Sequence, residues 1–161
     1  MRDALEGALR VLTWLLLGGW IGVLVFFPVA VAPAILRATG DLGSAEAGAR
    51  VVAEVLVPLE YAGIAAGVLL ALLGLLRGVG PALVLLPLLL AGSTLGGHLF
   101  LTREMAAIRA EALGTAPEPA HSERYFRLHR YSQRLYTAVG AGALLLAAGL
   151  AAREIRTRTR P

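Results

Sequence analysis

Ten side chains in this sequence have types and spacings that could do chemistry: Glu54, Glu60, Tyr61, His98, Arg103, Tyr125, His129, Ser132, Gln133 and Tyr136. Carboxylate plus imidazole, as Glu54 or Glu60 with His98 or His129, suits a divalent cation or a proton relay. Two histidines, His98 and His129, open a haem reading, because neutral imidazole is a good axial ligand. Tyr125, His129, Ser132, Gln133 and Tyr136 recur at helical spacing and form one stripe. Arg124, Arg127, Arg130 and Arg134 flank that stripe and face water or lipid headgroups.

These residues are set in a chain that is not composed for water. Of its 161 residues, 57% are hydrophobic and only 16% charged, too few polar groups to cover a soluble domain of this size. The apolar excess calls for lipid as solvent. There is no cysteine, so disulfides, thiolate metal sites and cysteine nucleophiles are excluded. All 15 basic residues are arginine, which with abundant Ala, Leu and Gly reads as GC-rich bacterial coding. The arginines flank apolar segments instead of forming a soluble basic face, so the net charge of +4 points to headgroups, and nucleic acid is not an expected partner.

Four apolar runs, at about residues 9–34, 51–76, 81–101 and 136–152, are each long enough to cross a bilayer. The expected fold is all-α, a single domain over 1–161 built as an antiparallel four-helix bundle in the membrane. Helices three and four extend beyond the bilayer as amphipathic stretches, 102–113 and 122–135. Pro28 and Pro33 should kink or end the first run. Ala30-Val31-Ala32 mimics a signal-peptidase site, but the run exceeds a normal h-region and its leader carries Asp3 and Glu6, which favours an uncleaved span. Gly40, Asp41, Gly43 and Ser44 mark one turn, and Arg77-Gly78-Val79-Gly80-Pro81 a second, with Pro81 opening the next helix. Pro87 predicts a kink in helix three, and Gly92, Gly96 and Gly97 a thin face for close helix contact. Residues 114–120 form the best loop candidate, followed by His121 as loop or cap and Ser122 as N-cap of helix four.

Antiparallel threading brings the end of helix one, the start of helix two, the end of helix three and the start of helix four to one face. That face collects Arg37, Glu54, Glu60, Tyr61, His98, Arg103, Tyr125, His129, Gln133 and Tyr136, while the other half of the bundle reads as almost wholly aliphatic. A polar vestibule binding a small ligand or cation is the leading expectation. Glu54 can instead pair with Arg50 in the headgroup layer, His98 can be satisfied by neighbouring carbonyls, and His129 can be an interfacial side chain. Glu60 lies deeper and favours the interior. With a hairpin folded near Pro117, His98 is level with Tyr136 and not with His129, an axial offset of about 12 Å that weakens bis-histidine haem ligation. Metal candidates are His98, His129 and Glu60. Seven arginines on one side and eight on the other leave the orientation open. No hydrolase motif, phosphate loop or dinucleotide fingerprint is present.

Several stretches resemble a known family. Gly22 to Arg37, Ala47-Gly48, Val57-Pro58-Leu59-Glu60-Tyr61 and above all Phe126-Arg127-Leu128-His129-Arg130-Tyr131-Ser132 are similar to the bacterial membrane family called domain of unknown function 4149, whose eukaryotic relative is transmembrane protein 205. The resemblance spans nearly the whole chain in order. It implies a four-span integral protein of the bacterial cytoplasmic membrane, and the relative's association with resistance to platinum drugs implies a link to transport. A structural role, as a homo-oligomer or as the subunit of a membrane partner protein, is the remaining alternative.

Overall fold

The computed structural model describes residues 2–43, 45–111 and 119–158. Every regular element among them is helical: α1 (Arg2–Phe26), α2 (Ala32–Asp41), α3 (Ala45–Leu76), α4 (Pro81–Gly97), α5 (Arg103–Glu111) and α6 (Pro119–Arg158). Four continuous helical stretches, Ala4–Asp41, Ala47–Leu76, Pro81–Ala110 and Glu123–Arg156, are long and apolar enough to cross a membrane.

Two of these stretches contain a single widened π turn where the sequence stresses the backbone. The first, Phe27–Val31, joins α1 to α2, and the Ala32 amide bonds the Phe27 carbonyl across it. Pro28 has no amide to donate, and the Pro33 ring would press on the Val29 carbonyl in a regular turn; widening accommodates both without ending the helix. The helix therefore runs past the expected end near residue 34 to Asp41. The second π turn, His98–Thr102, joins α4 to α5, with the Arg103 amide bonded to the His98 carbonyl. Helix three thus leaves its apolar run without breaking, as its amphipathic continuation predicts.

The turns follow their glycines. Gly43 has φ +73°, and its amide bonds the Gly40 carbonyl at 2.9 Å. Gly78, at φ +57°, ends α3: its amide bonds the Leu75 carbonyl and the Val79 amide bonds the Gly74 carbonyl, both at 3.0 Å. This is the Schellman pattern, which satisfies carbonyls that the helix end would otherwise leave open. Val79 is buried against the core behind it, and Pro81 starts α4. The loop expected at 114–120 falls mostly on 112–118, outside the described residues; α6 begins at Pro119, so Ser122 lies within the helix and not at its cap.

One core unites the four stretches: Leu17 and Trp20 from α1, Ala66, Leu70 and Ala71 from α3, Val84 and Leu90 from α4, and Val139, Ala143, Leu146 and Leu150 from α6. Close approach between α3 and α4 is made at Gly67, where a Cβ would stand 2.7 Å from the Pro87 carbonyl oxygen and 2.8 Å from the Ala91 Cβ. Gly97 admits Leu135 of α6 in the same way, whereas Gly92 and Gly96 face open space and do not form the expected thin face. The first stretch is peripheral, with 11% of its apolar window buried against 44% for the second. Large apolar side chains such as Leu15, Leu76, Leu89, Phe100 and Leu145 lie on the outside, a surface suited to lipid.

The half expected to be aliphatic holds a polar knot of its own. Glu154 of α6 accepts from Arg77 Nη2 at 2.7 Å and from Trp14 Nε1 at 3.3 Å, and pairs with Arg10 Nε at 3.5 Å. It binds α1, the α3–α4 turn and α6 together at one end, which agrees with antiparallel threading.

Gly67→Ala should lower stability by about 1–3 kcal/mol, because the backbone carbonyl of Pro87 cannot give way. Gly92→Ala and Gly96→Ala should be neutral or stabilise by up to about 1 kcal/mol through helix propensity. Thermal unfolding in detergent, followed by Trp14 and Trp20 fluorescence, checks the contrast; equal midpoints for all three would refute the close contact.

Candidate functional site

Glu60 is the most deeply buried ionisable side chain described, 1% exposed in the middle of α3. An unpaired carboxylate in such a position is prohibitively costly, so its surroundings must supply donors. Two helical elements do. His98 Nδ1 lies 2.6 Å from Oε2 and the Thr102 hydroxyl donates to Oε1 at 2.7 Å, both from the π turn. The Tyr136 hydroxyl of α6 donates to the same Oε1 in a short contact. His98 and Thr102 stand four residues apart, on one side of the helix, and each takes one oxygen of the carboxylate.

The imidazole of His98 extends the set outward. Its Nε2 lies 3.1 Å from the Tyr61 hydroxyl, and the two rings pack at 4.9 Å between centroids, tilted by 54°. With Glu60 ionised, one arrangement of protons satisfies every group: Nδ1–H donates to Glu60, and Nε2 accepts from the Tyr61 hydroxyl. His98 and Thr102 are buried, but Tyr61 is 53% exposed. A hydrogen-bonded line therefore runs from a buried carboxylate through an imidazole to an exposed phenol.

The members are level as well as adjacent. At a rise of about 1.5 Å per residue, Glu60 lies about 24 Å along α3 from Leu76, His98 about 26 Å from Pro81, and Tyr136 about 27 Å from Glu154. Tyr136, not His129, is thus the α6 residue opposite His98, as the hairpin register predicts.

The other expected residues are placed elsewhere. Ser132 is buried one turn before Tyr136 on the same face of α6, next to the hydrogen-bonded set but not part of it. Glu54 is exposed, since six residues turn it about 120° round the helix from Glu60. Arg103 and Gln133 are exposed too. His129 shares the stripe of Tyr136 but lies about 10 Å further along α6, beyond the knot. There its exposed ring stacks on half-buried Tyr125 at 6.2 Å with a 6° interplanar angle, and the Arg109 guanidinium covers Tyr125 at 5.5 Å. The side chain of His121 lies outside the described residues.

No known protein family, curated protein or solved structure matches this chain. The site must be read from its own chemistry. Both ring nitrogens of His98 are engaged, and His129 belongs to a separate aromatic stack, so the pair is not arranged to share a haem. Among the described residues no group of three or more His, Asp or Glu side chains gathers as a metal site. The Glu60 carboxylate meets hydroxyl and N–H donors on both oxygens, a surrounding built for an anion or for a shared proton and not for a coordinated metal ion. Thr102 is the participant missing from the sequence-derived set, because it carries no signal beyond standing four residues after His98, whereas Tyr136 was already legible as part of the α6 stripe.

Tyr136→Phe should cost about 1–3 kcal/mol, because it leaves the buried Glu60 carboxyl with one donor fewer. Tyr61→Phe should cost clearly less, because Tyr61 is half exposed and its hydroxyl meets a single ring nitrogen at 3.1 Å. Chemical or thermal unfolding of the two variants against wild type measures this ranking, and a reversed order would contradict the assigned network.

Proposed function

We propose that this chain is an integral membrane protein in which Glu60 takes up and releases a proton through His98 and Tyr61, coupling that proton to transport across the bilayer. The observation that carries this reading is the continuous line Glu60, His98, Tyr61, with separations of 2.6 and 3.1 Å, from full burial to exposure. Protons fit where larger cations do not, since the carboxylate is already ringed by donors and the site is closed around it. An incoming proton adds to the Tyr61 oxygen as the tyrosine hydroxyl proton passes to Nε2, and the imidazolium so formed gives its Nδ1 proton to Glu60. Thr102 and Tyr136 keep their bonds to Oε1 throughout and hold the carboxylate in register.

The membrane setting rests on the four apolar stretches and on their outward-facing leucines and phenylalanines. In this reading the stretches form an antiparallel four-helix bundle, with α5 and the start of α6 reaching beyond a hydrocarbon core of about 30 Å. With the Glu154 knot at one boundary, the Glu60 cluster lies just inside the other. A transport-linked role in a bacterial cytoplasmic membrane follows the resemblance of the Phe126–Ser132 and Val57–Tyr61 elements to the domain of unknown function 4149 family, with transmembrane protein 205 as its eukaryotic relative, and is part of the proposal. His129, the histidine of the first of those elements, then serves the headgroup-level stack with Tyr125 and Arg109 and not the relay.

Proteoliposomes loaded with a pH-sensitive dye and given a pH gradient, with potassium and valinomycin to clamp the potential, test the relay. Wild type should acidify faster than protein-free vesicles, and Glu60→Gln and His98→Phe should each slow the protein-dependent rate by at least about tenfold. Wild-type rates in a Glu60→Gln variant that unfolds at the normal temperature would overturn the proposal.

A further inference from the structure

The knot at the opposite end takes no part in the relay, yet it holds more positive charge than its own carboxylate requires. Arg77, in the α3–α4 turn, has a side chain only 3% exposed. One of its terminal nitrogens, Nη2, bonds Glu154 at 2.7 Å, but the other, Nη1, is buried without a hydrogen-bond partner. Arg10 approaches the same carboxylate oxygen at 3.5 Å, too long for a good hydrogen bond, and its Nε is likewise buried and unsatisfied. Its other ion pair, to exposed Glu6 at 3.7 Å, is weaker still. A third guanidinium, Arg153, closes over the turn and donates to the Gly78 carbonyl at 2.9 Å.

Two further features increase the positive character here. The N-terminus of α4 begins three residues after Gly78, with no side-chain cap at Gly80 and no acidic residue in its first turn, so its partial positive charge is uncompensated. Trp14 directs its indole N–H into the same knot, and indoles of this kind belong at the boundary between hydrocarbon and headgroups. Glu154 holds Arg77 and Arg10 side by side, while the unsatisfied N–H groups carry a desolvation cost that a bound oxyanion would offset. Arg10, about one third exposed and loosely paired, is the member free to swing aside and let an anion reach Arg77.

We infer that Arg10 and Arg77, flanked by Arg153 and the start of α4, form a binding site for a phosphate oxyanion. At this level of the molecule such a group is supplied by an anionic phospholipid headgroup or by phosphate from solution. The site is independent of the proton relay, whose Glu60 cluster lies about 24 Å away along α3.

The test compares full-length protein in nanodiscs of phosphatidylcholine, in nanodiscs containing phosphatidylglycerol, and in phosphatidylcholine with added inorganic phosphate, against sodium chloride at matched ionic strength. Unfolding is followed by tryptophan fluorescence, and Trp14 reports occupancy directly through a shift in its emission below the transition. Phosphatidylglycerol should raise the midpoint by about 5–10 °C, a shift expected of a ligand near saturation. Arg10→Gln, which leaves the buried Arg77–Glu154 pair intact, should abolish most of that shift while keeping its phosphatidylcholine midpoint near that of wild type. If inorganic phosphate alone reproduces the shift, the oxyanion site stands and its source is soluble. Equal midpoints in every arm, or a phosphatidylglycerol shift that Arg10→Gln retains in full, would overturn the inference.

Discussion

A carboxylate removed from solvent must be surrounded by donors, and Glu60 imposes that requirement on two other helical stretches. Thr102 and His98 come from a π turn that carries α4 into α5, and Tyr136 comes from α6. To bring them within hydrogen-bonding distance, α3 and α4 must almost touch at Gly67, and α6 must close on α4 at Gly97, where a Cβ would meet Leu135 at 2.6 Å. The apolar core alone would tolerate other rotations of these helices, since leucine packs against leucine in many registers. A buried carboxylate does not, because each misplaced donor leaves an unsatisfied group in a medium of low polarity. Glu60 therefore selects one packing among several of similar apolar burial.

Among the described residues two polar knots lie one toward each end of the apolar core, and they neutralise their carboxylates differently. Glu154 is held by guanidiniums, which stay charged at any physiological pH, so its knot is a fixed clamp with surplus positive charge. Glu60 is held by two hydroxyls and an imidazole, groups able to pass or share a proton. The first arrangement suits anchoring and anion binding, the second suits proton exchange. Between them lies a purely aliphatic layer of Leu70, Leu90, Val139 and Leu146 that offers no polar route. In the proposed relay, passage through the whole span would therefore require helix movement, and the first stretch is the least buried of the four.

Much of this was legible in the residues. The apolar runs locate the four long helices, Arg77–Pro81 and Gly43 announce their turns by needing backbone angles that glycine and proline supply, and antiparallel register places His98 opposite Tyr136. The depth of Glu60 within its run identifies it as an interior group. The helix ends were less legible, because a proline stops a helix only if no widened turn absorbs it. At Phe27–Val31 the prolines Pro28 and Pro33 mark the stressed place, but the local pattern does not say that the helix widens into a π turn there and continues.

What the sequence by itself determined was position along each helix: which residues are apolar, where the chain reverses, and which polar groups share a level. It could not determine how far each helix turns about its own axis relative to its neighbours. That rotation decided that Glu60, His98, Tyr61, Thr102 and Tyr136 meet, that Glu54, Arg103, His129 and Gln133 stay outside, and that Glu154 reaches back to Arg10, Trp14 and Arg77. Periodicity marks a face on one helix, but two faces meet only when packing volume, glycine gaps and the demands of a buried charge are satisfied together. Those conditions involve residues up to 140 positions apart, as in the Trp14–Glu154 contact, and only the folded chain brings them to bear at once.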